Sequence, residues 1–133
     1  MLDKNIVNDV LMAALSHGGD FAEVFAEDRF DSSIGMIEGK VERSSAGRTA
    51  GVGIRIFNGF NSVYTYTNAM DRETLIKLAI NASKSLRAVP QELKIDFVME
   101  EAAVNHPVIV LPQSVSKSHK AELMRRAHQA AAE

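Results

Sequence analysis

The 133-residue chain contains no cysteine, which excludes disulfides and thiolate metal sites and fits a reducing compartment. It has no apolar run near the ~20 residues a membrane span needs, and its amino-terminal apolar pattern is broken by Asp3 and Asp9, unlike a signal peptide. The cytoplasm is therefore the expected location, with no membrane partner. There is no excess of positive charge either. With a net charge of -2 and a pI of about 6.1, no basic field exists to draw in a phosphate backbone, so no nucleic acid is expected as partner.

Catalytic motifs are missing as well. The glycines of Gly51-Val52-Gly53 through Gly59 are spaced G-x-G-x5-G within a strand pattern, not G-x-G-x-x-G between strand and helix, and no G-K-[ST] follows any of them. His17, His106, His119 and His128 form no H-E-x-x-H, and a separation of nine positions places the last two on opposite faces of a helix. Ser44, Ser45, Ser83 and Ser85 have no neighbouring base. Glu23, Glu27, Asp28 and Asp31 alternate between strand faces and read as solvated charge rather than a carboxylate cluster. No catalytic and no metal-ligating residue is expected in this chain.

The most informative stretch is Gly47 to Thr67. Asn58-Gly59 carries the composition of a type I′ hairpin turn, because Asn and Gly both accept positive φ. That turn would set Phe57 opposite Phe60, Ile54 opposite Val63, Gly53 opposite Tyr64 and Gly51 opposite Tyr66. Val52, Ile54, Ile56, Val63 and Thr65 then share a core face. Gly51, Gly53, Arg55, Tyr64 and Tyr66 share the other, where each tyrosine covers bare glycine backbone. This face has two readings: ordinary cross-strand packing beside a solvated arginine, or a substrate-facing or interface surface open to close approach.

Around it, Leu2, Ile6, Val10 and Ala14 recur at helical spacing from a cap at Asp3 to a stop at Gly18-Gly19. Residues 21–45 turn to a period near two and hold two or three strands, with a turn at Glu38-Gly39-Lys40. A second helix starts at Asp71, with Met70 and Leu75 as a hydrophobic staple, and runs to about Arg87 before Pro90. Residues 90–115 read as an extended linker with short extended candidates at Ile95–Met99 and Val108–Leu111. A terminal helix begins after Ser116 or Ser118 and meets no stop signal by Glu133. The expected fold is α+β, an antiparallel or mixed sheet of about four strands with helices on one face, in the order α-β-β-β-β-α, then linker and terminal helix. The expected division is a domain at 1–89, a linker at 90–115 and, at 116–133, the start of a helix in a truncated chain.

The order of elements, with Gly19 before an acidic-apolar strand, the turn of Ile37 to Val41, the run Gly51-Val52-Gly53-Ile54-Arg55 and the exit Thr67-Asn68 into a helix, resembles the amino-terminal domain of the TldD/PmbA family. These are peptidases once described as modulators of DNA gyrase. The resemblance covers about Asp3 to Leu86. It implies a zinc-dependent metallopeptidase that degrades or processes unfolded peptides, with its zinc held by an H-E-x-x-x-H helix downstream in a carboxy-terminal domain. It also implies pairing as a homodimer or with a paralogous TldD/PmbA partner. The rival implication is a regulatory or binding module, a PmbA-like partner or gyrase modulator, with no chemistry of its own.

Overall fold

The computed structural model describes residues 2–86, 89, 90, 103 and 105–132. Its elements are helix α1 (Lys4–Leu15), strands β1 (Phe21–Ile37), β2 (Lys40–Asn58) and β3 (Asn61–Thr67), helix α2 (Arg72–Ser85), a 3-10 turn at Pro112–Ser114 and helix α3 (Lys117–Ala132). The strands form one antiparallel sheet in the order β1-β2-β3. The α+β class is as read. The strands number three, close to the four expected, because residues 40–58 run unbroken. Among the described residues, 2–28 with those of 50–90 make one compact unit, and 29–49 with those of 103–132 another.

In the first unit local chemistry starts both helices where the sequence places them. The Asp3 carboxylate accepts from the Asn5 amide at 2.8 Å and the Asp71 carboxylate from the Thr74 amide at 2.9 Å, each satisfying a donor that the first helical turn leaves open. Val10 and Ala14, one turn apart on α1, meet Leu75, Ala79 and Ala82 of α2 over the β2 residues Val52, Ile54 and Ile56. Val10, Leu75, Ile54 and Ile56 have no exposed surface. Ala22, Val24 and Val63 extend this layer from the neighbouring strands, so both helices cover one sheet face. The helices are also joined by two polar contacts. Arg72 Nε lies 2.7 Å from Asp9 Oδ2, and the His17 amide donates to the buried Ser83 hydroxyl at 3.0 Å.

The β2–β3 register differs from the sequence expectation. Asn58 pairs with Asn61, Ile56 with Val63, Arg55 with Tyr64 and Gly53 with Tyr66, which leaves Gly59-Phe60 as the turn. Gly59 takes φ +57° while Phe60 keeps a negative φ, the requirement of a turn with glycine at its first central position only. Asp20 holds this arrangement: its carboxylate accepts from the Gly59 amide and its own amide donates to the Phe57 carbonyl, both at 2.9 Å. Phe57 contacts Phe21 at 5.7 Å between ring centroids, and Phe60 stands fully exposed at the tip. Because the displacement keeps the parity, each residue stays on its expected face. The turn with positive φ at both central residues is instead Glu38-Gly39, at +47° and +74°.

In the second unit Ser116 precedes α3 and caps it, its hydroxyl accepting from the His119 amide at 3.2 Å. Ala121 is its one buried residue among those described. Lys120 donates to the Ser32 hydroxyl, Ser33 and Ser45 bond across the strands at 2.7 Å, and the His128 ring lies against Gly39. Val108–Leu111 is not a strand: it bends between Pro107 and Pro112, which supply no amide to a ladder. The other extended candidate, Ile95–Met99, and Arg87 at the expected end of α2 lie outside the described residues.

Candidate functional site

Alternation along the strands puts Gly51, Gly53, Arg55, Tyr64 and Tyr66 together on the sheet face that the helices leave uncovered. The Tyr64 and Tyr66 rings stack at 6.4 Å between centroids with an interplanar angle of 27°. The Arg55 guanidinium lies 5.1 Å from the Tyr64 centroid, within cation–π range. Tyr64 also lies over Gly53: a Cβ built there would come within 2.5 Å of the Tyr64 hydroxyl. One built on Gly51 would stand 3.0 Å from the Thr67 carbonyl. Only Gly53 is covered by a tyrosine, because the shifted register sets Tyr66 opposite Gly53 rather than Gly51, and Tyr64 and Tyr66 remain 54% and 74% exposed.

Two contributions to this face were not read from the sequence. Glu23 Oε1 lies 3.3 Å from Arg55 Nη1, and Phe21 and Phe25 add two exposed rings. The signal was present, since Phe21, Glu23 and Phe25 alternate with the inward Ala22 and Val24. What was missing was the pairing of β1 with β2, which brings Glu23 beside Arg55. The result is an aromatic surface whose one central charge pair is internally neutralised. It offers ring faces, two phenol hydroxyls and a guanidinium paired with a carboxylate.

Among the described residues no three His, Cys, Asp or Glu converge on a point. The His17 Nδ1 lies 2.9 Å from the Ser16 hydroxyl at the end of α1, His119 and His128 sit on α3 nine residues apart, and Glu23 is engaged by Arg55. These residues do not fit a zinc site. Among the described residues, too, no helix is long and apolar enough to cross a membrane.

A family model described as PmbA/TldA metallopeptidase domain 1 matches residues 22–86, from the second residue of β1 to the residue that closes α2. The chain carries that domain. No curated protein matches it. The PmbA/TldA domain includes all five residues of the candidate face together with the β2–β3 hairpin and α2, while α3 lies outside the matched segment.

Proposed function

We propose that the chain serves as the non-catalytic first domain of a zinc-dependent metallopeptidase of TldD/PmbA type, one that degrades or processes unfolded peptides. The observation that supports this reading is the family match over residues 22–86, a segment that carries the aromatic sheet face. Zinc and the hydrolytic step belong to a carboxy-terminal metallopeptidase domain. The part played here is assembly, with an identical or paralogous partner, and formation of the substrate cavity. Gly51 and Gly53 permit close approach of an extended peptide, Tyr64 and Tyr66 offer ring faces to its side chains, and Arg55 offers a donor to its carbonyls.

The test compares zinc-supplemented hydrolysis of a fluorogenic peptide by residues 1–133 and by the full gene product. Turnover is expected from the second alone, with KM raised and kcat little changed by the double substitution Tyr64→Ala, Tyr66→Ala. Metal-dependent turnover by residues 1–133 would refute the non-catalytic assignment. A full gene product lacking H-E-x-x-x-H would favour the second reading, a regulatory module without chemistry.

A further inference from the structure

The second unit contains a cavity of about 380 Å³, within the ~300–1,000 Å³ range of small-molecule sites. Its apolar lining comes from Phe30 and Ile34 of β1 and from Val115, Leu123 and Met124 at and along α3. Three of the four serine hydroxyls on its strand side are already engaged. Ser33 and Ser45 bond to each other, and Ser32 accepts from Lys120 at 3.2 Å. A peptide backbone, which needs donors and acceptors along its length, finds few there, whereas an alkyl chain needs none.

The charge lining this cavity has one sign. Lys117 and Lys120 both line it, and no carboxylate among the described residues does. Lys117 is the first residue of α3 and Lys120 lies one turn on, where the helix dipole is positive and a cation is disfavoured. No acidic residue in that first turn offsets them. Lys120 is half-buried against a neutral hydroxyl. A bound anion would relieve all three like contributions together.

We propose that this cavity binds a small carboxylate with an unbranched apolar chain, its headgroup between Lys117 and Lys120 and its chain along Phe30, Ile34, Leu123 and Met124. This site is separate from the sheet face assigned to peptides, and it stands or falls without that assignment. The probe is decanoate, titrated into the 133-residue chain below its micelle concentration by calorimetry and by amide NMR. Expected are saturable 1:1 binding and shifts confined to residues 30–34, 44–46 and 113–124. Lys120→Gln should weaken binding about tenfold, the scale of one charge-assisted bond, and Lys117→Gln should weaken it in the same direction. Met124→Trp, which fills the apolar end, should abolish it. Should Met124→Trp disturb the circular dichroism spectrum, the Lys117→Gln and Lys120→Gln variants carry the test. Equal affinity for decan-1-ol would remove the role of the anion and overturn the proposal. So would tighter binding of Ala-Ala-Leu with a free carboxylate, or shifts that fall on the β2–β3 hairpin.

Discussion

Gly19 and Gly53 each occupy a place where a side chain would collide, but with different neighbours. A Cβ at Gly19 would lie 3.0 Å from both Ile56 Cγ2 and the Phe57 carbonyl, at a φ of +123°. At Gly53 the obstacle is the Tyr64 ring, which is more than half exposed and can swing aside. Gly19→Ala is therefore expected to cost about 1–3 kcal/mol and Gly53→Ala less, in urea denaturation. Gly53→Ala should still alter the near-ultraviolet dichroism, because Tyr64 and Tyr66 are the chain's two tyrosines and it has no tryptophan. At the hairpin tip Gly59→Val should lower stability by about 1–2 kcal/mol, since a β-branched residue is strained at φ +57°, while Ser62→Ala should change little. Equal denaturation midpoints for those two variants would place the turn elsewhere. Asp71 has a definite pH signature. The Thr74 amide it accepts from holds its carboxyl below the ordinary value of 3.8. A depressed folded-state pKa means that the cap stabilises fully above the unfolded value and is lost as pH falls through the folded one. Asp71→Asn should therefore flatten the acid limb of a stability–pH curve, whereas Asp71→Ala should lower stability at neutral pH as well.

Among the elements, the layer between the helices and β2 carries the stability. Ile54→Ala is expected to cost about 2–5 kcal/mol, with a cavity opened beneath Leu75 and Ala79. Arg72→Ala should cost under about 1 kcal/mol, because its contact with Asp9 is exposed. Ser83→Ala leaves the His17 amide without its acceptor and should cost about 1–3 kcal/mol, measured against the same baseline. Helix starts were legible because their chemistry is local, with Asp3 and Asp71 bonding amides two and three residues ahead. The hairpin register was not. The Asn58-Gly59 pair carries a strong local turn signal, yet Asp20, 39 residues away in sequence, takes the Gly59 amide and supports Gly59-Phe60 as the turn instead. The face assignment survived because alternation depends only on parity. The identity of each cross-strand neighbour depended on contacts that a dipeptide cannot encode.

For the whole molecule, the aromatic face was legible from the strand glycines and tyrosines, while the cavity beside α3 was not. Phe30, Ile34, Leu123 and Met124 are separated by up to 94 positions, and no local pattern announces their meeting. Calorimetric titration of residues 1–133 with zinc should show no sub-micromolar site, given the scattered histidines. The sheet itself has a temporal consequence. Its three strands are consecutive and joined by two-residue turns, so each strand pairs with a neighbour in sequence and closure of either hairpin spans few residues. Contacts of short separation form early, and chains emerge from the ribosome amino-terminus first. The meander and α2 are complete in sequence by residue 86, thirty residues before α3 begins. A nascent chain should thus hold a protease-resistant β2–β3–α2 core while the strand side of the cavity still waits for its helix, and pulse proteolysis of stalled chains would record the two steps in that order.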